Sequence, residues 1–328
     1  MTNLYSKLKS IPSKIKYKYW GYYYPQYRKK VEADFKNLPL NSPDKVSAYI
    51  SNLLETDSPC MISRFGSNEL SAALCYGRNF HPLWFLRKIA PFWAPPYIAN
   101  EMKSNAGFFS NDKKNLSDFA DLLLSSAEKV DLLGSWIGSE RMIEEKMGYE
   151  RCPLLYLEPY WSKKPWTKSL QGKNVLVIHP FASTIQLQYS KHRLLFDNPD
   201  LLPPFNLKVI KAIQSIGGDN NGFNSWFDAL HYMEKQIDSI DYDIALIGCG
   251  AYGMPLAAYC KETGKKAVHL GGVLQLLFGI KGNRWAEDGY GSDFGFDYKR
   301  LLDNPNWVKP LPEETPIISK KIENACYW

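Results

Sequence analysis

Residues 243–256 read D-I-A-L-I-G-C-G-A-Y-G-M-P-L. An apolar run without polar alternation comes first, as in a strand covered on both faces. Gly248, Gly250 and Gly253 follow in the spacing G-x-G-x-x-G, and Pro255 suits the first turn of a helix, where its missing N–H would be unpaired anyway. The stretch therefore reads as a buried parallel strand, a tight turn and a helix. Outward from it the same grammar recurs. Strand-like runs at 60–64, 130–134, 154–157, 174–179, 207–212, 243–248 and 266–270 alternate with helical patterns at 68–76, 113–127, 139–147, 183–196, 224–239 and 255–263. That alternation specifies an α/β fold, a Rossmann-like, doubly wound and mostly parallel sheet whose ligands bind beyond the carboxyl ends of the strands.

Composition sets the outer bounds. A chain of 328 residues can bury a large core, and 45% hydrophobic with 14% aromatic residues excludes disorder as its main state. Cysteines at 60, 75, 152, 249, 260 and 326 form no C-x-x-C pair. With no secretory h-region and no apolar run near the roughly 18 residues of a membrane span, a reducing cytoplasm is the expected setting. Cys60 and Cys249, inside apolar runs, read as small core residues.

Charge is uneven. Residues 1–30 hold eight lysines and arginines and no acid, so against a whole-chain charge of +6 the remaining body sums to −2. Leu4, Leu8, Ile11 and Ile15 recur at helical spacing among the lysines, interrupted at Pro12, and a tyrosine-rich run with Trp20 follows. A basic stripe with aromatic anchors suits an anionic membrane surface, which would put the protein at the inner face of the cell membrane. The alternative is a basic arm laid on its own domain or on a partner. Nucleic acid is not expected, because the basic excess ends at residue 30 and no nucleic-acid module follows. Residues 1–37 are thus read as a basic aromatic extension, with prolines marking a linker at 38–43, and residues 38–328 as the Rossmann-like domain.

Three strand ends hold the candidate chemistry. At the first, glycines at 248, 250 and 253 would let the backbone approach a diphosphate at a helix N-terminus. The nicotinamide version of that motif is not expected, since the next strand ends in His269 and glycines instead of the acid that holds a ribose hydroxyl. Tight strand-to-helix contact alone would also require small residues there. At the second, V-L-V-I-H-P-F-A-S-T-I, His179 closes the strand while Ser183 and Thr184 are placed to cap the next helix or to donate to phosphate or sugar oxygens. A third end reads M-I-S-R-F-G-S-N-E-L at 61–70. Arg64 there would be costly to bury unpaired, so it calls for a carboxylate or a phosphate. Gly66 permits a turn, Ser67 or Asn68 can cap a helix, and Glu69 falls in its first turn. Glu69 could hold a hard divalent cation or take a proton from a hydroxyl, or form an internal pair with Arg64. The histidines show no metal-ligand spacing, so a zinc site is not expected.

R-F-G-S-N-E-L resembles the R-F-G-D-G-E segment of the GT-D-type glycosyltransferases of bacterial surface polysaccharide and glycoprotein assembly. The segment from A-L-I-G-C-G-A-Y-G-M-P-L-A to H-L-G-G-V-L-Q-L-L-F-G-I-K-G-N-R-W is similar to the close of related proteins. The resemblance implies a nucleoside-diphosphate sugar as donor, a glycan or lipid-linked glycan as acceptor, and a D-x-E pair holding Mn²⁺ or Mg²⁺. Here Ser67 stands where the family has its aspartate and only Glu69 matches the second acid, so one ligand charge is missing. Arg64, or Lys281 and Arg284 in K-G-N-R-W, would then neutralise the leaving diphosphate. Glu158 in Y-L-E-P-Y-W is the second carboxylate candidate, with Tyr160 and Trp161 as rings for a sugar. Two other classes fit parts of the pattern. A non-catalytic sugar-nucleotide or glycan-binding subunit would keep the glycines without the acids, and a methyltransferase would place a glycine loop after a strand, usually its first.

Overall fold

The computed structural model describes residues 38–77, 96–144, 147–317, 319 and 325–328. The basic extension at 1–37 and His81 lie outside the described residues. Seven strands form one sheet in the order β3-β2-β1-β7-β6-β4-β5. They are β1 Cys60–Ser63, β2 Leu132–Ser135, β3 Glu150–Pro153, β4 Asn174–His179, β5 Asn206–Lys211, β6 Ile244–Ile247 and β7 Lys266–His269. Every pairing is parallel, with β7 seated between β1 and β6 in registers such as Ile62↔Val268 and Ile247↔His269. The α/β, Rossmann-like reading of the sequence holds.

Both faces of the sheet are covered, which is why its strands read as continuous apolar runs. Met61, Leu133, Ile178 and Ala245 belong to one buried cluster, while Cys60, Ile62, Val177 and Leu246 belong to the other. Seven helices supply most of the covering: α1 Pro43–Glu55, α2 Ser67–Tyr76, α3 Pro96–Ser104, α4 Lys113–Ala127, α5 Ala182–Tyr189, α6 Trp226–Asp238 and α7 Gly253–Glu262. Leu256 of α7, after β6, joins the first cluster, whereas Ile185 of α5, after β4, joins the second. Adjacent strands β6 and β4 thus send the chain to opposite faces. The same divergence separates β1, followed by Leu70 of α2 in the first cluster, from β7, followed by Leu274 in the second. Such switch points open crevices at the carboxyl ends of the strands.

Local chemistry explains where the elements depart from the sequence reading. The run at 154–157 is a 3-10 turn, and the edge strand is β3 just before it. Gly134 accounts for this: a β-carbon there would come within 2.5 Å of Leu157, so the leucines fold over β2 and do not extend the sheet. Of the helix expected at 139–147, the described residues show a 3-10 turn at Gly138–Glu140 and a helix at Arg141–Glu144, and the helix expected at 183–196 ends at Tyr189. Of the residues read as a linker, 38–42 lie outside any helix, and Pro43 begins α1. Ser42 accepts from the Lys45 N–H at 3.3 Å, and Pro43 occupies the first helical position.

Candidate active site at the carboxyl ends of the strands

The ends of β1, β4, β6 and β7 open on one cleft of about 160 Å³. Eight of the sequence-derived candidates line it: Arg64, Gly66, Ser67 and Glu69 from the end of β1, His179 from β4, Gly248 and Gly250 from β6, and Arg284 from beyond β7.

At the β1 end, Gly66 is the N-cap of α2 and makes no side-chain cap bond, contrary to the expectation that Ser67 or Asn68 would cap. Glu69 fills that space from the first turn. Its carboxylate folds over Gly66 so closely that a β-carbon at position 66 would lie 1.9 Å from Oε2. Arg64 is half-buried, and its guanidinium carbon lies 5.1 Å from the centre of the Trp136 ring. Burial pulls the Arg64 pKa down, and the Glu69 charge pulls it back up.

The glycine loop divides its labour. Gly248 donates its N–H to Ile178 O at 3.0 Å, and a β-carbon there would come within 2.5 Å of Gly271 O and 2.9 Å of the His179 ring. Gly250 has φ +58°, in the left-handed region where glycine is free of penalty. The Ala251 N–H donates to Ala106 O at 3.1 Å, fixing the loop against the end of α3. Gly253 does not line the cleft. It lies behind, where a β-carbon would meet His269 Nε2 at 2.2 Å, so its service is close helix-to-strand contact.

Both histidines of the cleft are neutral near pH 7. His179 accepts the Phe181 N–H through Nδ1 at 3.0 Å, which leaves its proton on Nε2, and burial pulls it down to about 3. His269 is bonded through Nδ1 to Ser63 Oγ at 2.9 Å and is pulled down to about 3 by burial and then by the Arg64 charge. The ionised side chains lining the cleft among the described residues are therefore Arg64, Arg284 and Glu69.

Several lining residues escaped the sequence reading. Trp136 sits two positions past the run expected as a strand, is 41% exposed, and is fixed by its Nε1–H donating to Phe65 O at 2.8 Å. Glu140 holds the same loop by accepting the Trp136 and Ile137 N–H groups, and burial raises its carboxyl to about 7. A strand-end rule applied to S-W-I-G-S could have found Trp136. Tyr327 offers no such local signal. It arrives from the far end of the chain to lie against Gly272, where a β-carbon would come within 2.2 Å of its ring. Arg284 is fixed by its backbone N–H to Cys326 O at 3.0 Å, and its guanidinium carbon lies 4.7 Å from the Tyr327 ring centre.

Four candidates lie elsewhere, each for a physical reason. Ser183 is exposed, and the N-terminus of α5 is already filled: Glu314 accepts the Ser183 and Thr184 N–H groups at 2.7 and 3.2 Å, as well as the Thr184 hydroxyl. No anion is needed there. Lys281 is outside the cleft, its N–H donating to Val308 O at 2.7 Å. Gly253 is the third, as described. Glu158 is 4% exposed inside an aromatic box, where its Oε2 accepts Tyr298 OH at 2.5 Å and Trp161 Nε1–H at 3.1 Å. The rings expected to receive a sugar pack within the protein: Trp161 stacks on Phe296 with centres 4.4 Å apart, and Tyr160 stacks on Phe196. Cys60 and Cys249 are buried, and burial pushes the Cys60 thiol up to about 12.

A hard divalent cation prefers several anionic and neutral oxygens. The described cleft offers one carboxylate, Glu69, beside two guanidiniums, so its own side chains do not fit a resident Mn²⁺ or Mg²⁺. Among the described residues no group of three or more His, Cys, Asp or Glu could hold a metal ion. A wider depression of about 530 Å³ elsewhere is lined by Asp112 and Ser225, whose side chains are engaged as the N-caps of α4 and α6. No helix among the described residues is long and apolar enough to cross a membrane.

No family model matches this chain, and no curated protein does. A solved structure described as the selenomethionine-substituted domain of unknown function 1792 is similar to it. The identity is 12%, covering 82% of this chain and 91% of that one, with a TM-score of 0.39.

Proposed function

We propose that this chain is a glycosyltransferase that moves a sugar from a nucleoside-diphosphate donor to a growing surface glycan. The observation that carries this reading is the convergence of Arg64, Glu69, Gly248, Gly250 and Arg284 on one cleft at the switch points of a parallel sheet. Its partner in argument is the resemblance of R-F-G-S-N-E-L to the GT-D-type segment. In the reaction, the bond between the sugar's anomeric carbon and the β-phosphate oxygen breaks as an acceptor hydroxyl bonds to that carbon. Glu69 takes the hydroxyl proton, while Arg64 and Arg284 stabilise the negative charge that accumulates on the leaving diphosphate. His179, protonated on Nε2, can donate a neutral hydrogen bond to the donor, and Trp136 presents a ring face to it. The bare backbone at Gly248 and Gly250 admits the donor close to β6.

Binding to the native state raises its melting temperature by mass action, so a panel of nucleoside-diphosphate sugars screened for thermal stabilisation, with donor hydrolysis measured in parallel, tests the reading. Stabilisation by one donor class and its slow hydrolysis are expected. A panel with no stabilising member would sink it. The serine at position 67 favours a second reading, a non-catalytic sugar-nucleotide-binding subunit. That subunit would bind a donor and neither hydrolyse nor transfer it. Association of residues 1–37 with an anionic membrane remains part of the proposal, and loss of binding to phosphatidylglycerol vesicles on their deletion would support it.

A further inference from the structure

His179 is a buried side chain tied to the protein at one ring nitrogen only. It is 3% exposed and lines the cleft, and its Nδ1 is taken up in accepting the Phe181 N–H at 3.0 Å. The proton therefore sits on Nε2, which has no acceptor among the described residues. Burial alone holds the ring neutral, with no neighbouring charge contributing. A buried donor left unpaired is costly, so its place on a cleft wall calls for an oxygen brought by a ligand.

Its position narrows what that oxygen belongs to. β4 and β6 pair through Ile178↔Ile247, which sets His179 beside Gly248 one position further on. A β-carbon on Gly248 would come within 2.9 Å of His179 Cδ2, the ring carbon bonded to Nε2. The ring edge that carries the proton thus lies against the start of the glycine loop. Two backbone donors join it there. The N–H groups of Cys249 and Gly250, both cleft residues, bond to nothing among the described residues, while their neighbours Gly248 and Ala251 donate to Ile178 O and Ala106 O. The carbonyl beside them, Gly271 O, already accepts the Leu274 N–H. This junction of strands therefore offers donors. They match the oxygens of a phosphate, whereas a sugar hydroxyl would also bring a proton in need of an acceptor.

We infer that His179 Nε2–H and the Cys249 and Gly250 N–H groups form a neutral phosphate site that holds the β-phosphate of the donor. Negative charge grows on that phosphate as the bond to the sugar breaks, so donors fixed in advance stabilise the transition state more than the bound donor. The inference rests on the proposed donor reading only for what the phosphate is attached to.

The two ring nitrogens can be separated by substitution. Asparagine places an oxygen near the Nδ1 position, where it can accept the Phe181 N–H, and has nothing at Nε2. Glutamine reaches the Nε2 position with an amide N–H and gives up the Phe181 bond. Calorimetric titration of the full chain with inorganic pyrophosphate and with a panel of nucleoside diphosphates reads the result, and thermal melts show that each variant is folded. His179→Asn is expected to weaken pyrophosphate binding at least about tenfold, and His179→Gln to bind more tightly than His179→Asn. In ¹⁵N-labelled wild type, the Nε2–H resonance that His179→Asn removes should shift on addition of pyrophosphate. No pyrophosphate binding by wild type, an unshifted resonance, unchanged affinity in folded His179→Asn, or glutamine binding no better than asparagine would each overturn the site. The two ideas fail differently. Pyrophosphate bound through His179 while no nucleoside diphosphate binds keeps the site and removes the donor reading, whereas nucleoside diphosphates bound equally by wild type and His179→Asn do the reverse.

Discussion

Glu69 stands in the first turn of α2, at the cleft, with Arg64 close enough to feel its charge. Glu158 lies among Tyr298, Trp161 and the ring of Tyr290, where burial raises its carboxyl to about 8. The same functional group follows two strands of one sheet, yet burial holds Glu158 as the acid while Glu69 stands beside a guanidinium. What separates them is the company each keeps. Glu69 has the Arg64 guanidinium and a helix N-terminus nearby, both of which favour a charged carboxylate. Among the described residues, Glu158 has phenol and indole donors and no cation in direct contact, so desolvation dominates. Nearness of a carboxylate to a strand end does not therefore specify chemistry; the sign of the neighbouring charge does.

The strongest way to break this comparison is to neutralise Glu69. Glu69→Gln keeps its size and loses its charge and basicity, so turnover is expected to fall at least about a hundredfold with the melting temperature little changed. Added Mn²⁺ should not restore it. A folded Glu69→Gln protein with full turnover would make R-F-G-S-N-E a structural turn and remove the contrast.

A second test asks whether the cleft beside Glu69 is the donor site. Gly250→Val places a β-branched residue at φ +58° and a β-carbon 3.1 Å from Ala106 O. Donor affinity is expected to fall at least about tenfold, together with a strain of about 1–3 kcal/mol in stability. Gly172→Ala is the matched control, since Gly172 has φ +73° and nothing within 4 Å of the added carbon. It should cost stability alone. Equal donor binding by wild type and a folded Gly250→Val protein would move the site elsewhere.

How much of this was legible follows from what each residue depends on. β4 was read to the residue, because six consecutive positions are buried or nearly so and His179 ends the run before a proline. α4 was also read at its full bounds, since its apolar spacing is local and Asp112 caps it. The run at 154–157 was misread because its leucines answer to Gly134, some twenty residues away, and not to their own neighbours. In the cleft, Arg64, Glu69 and the glycines were visible because strand-end motifs are short-range. Tyr327 was not, because its place is fixed by Gly272 and Arg284 across the fold. Ser183 was misassigned for the same reason: its helix is capped by Glu314, 131 positions further on.

Glu314 gives the comparison a third carboxylate. It is 2% exposed and accepts from two backbone N–H groups and a hydroxyl at the start of α5. Glu314→Gln should weaken these charge-assisted bonds by about 1–3 kcal/mol, read as a melting temperature lower by a few degrees. Donor affinity should stay within about threefold, because Ser183 and Thr184, which Glu314 holds, do not line the cleft. A large loss of donor affinity at unchanged melting temperature would instead place an anion site there.

The smallest effect on turnover is expected at Glu158, and its signature is in pH. With its folded-state pKa near 8 against an ordinary value of 4.5, the folded protein holds a proton that the unfolded chain has released between those limits. Its contribution to stability is therefore present below about pH 4.5 and declines as pH rises towards 8. Glu140, raised to about 7, adds to the same decline, while His179 and His269, held neutral by burial, act in the opposite sense between about pH 3 and 6.5. The difference between wild type and Glu158→Gln isolates the one group. Glutamine is neutral and can still accept from Tyr298 and Trp161, so it mimics the protonated acid. The two proteins should melt together near pH 5, and the variant should melt higher near pH 8, with turnover within about threefold of wild type. If turnover fell a hundredfold while the melting curves stayed parallel from pH 5 to 8, Glu158 would be working as an anion in the reaction, and the distinction drawn between the aromatic box and the cleft would fail.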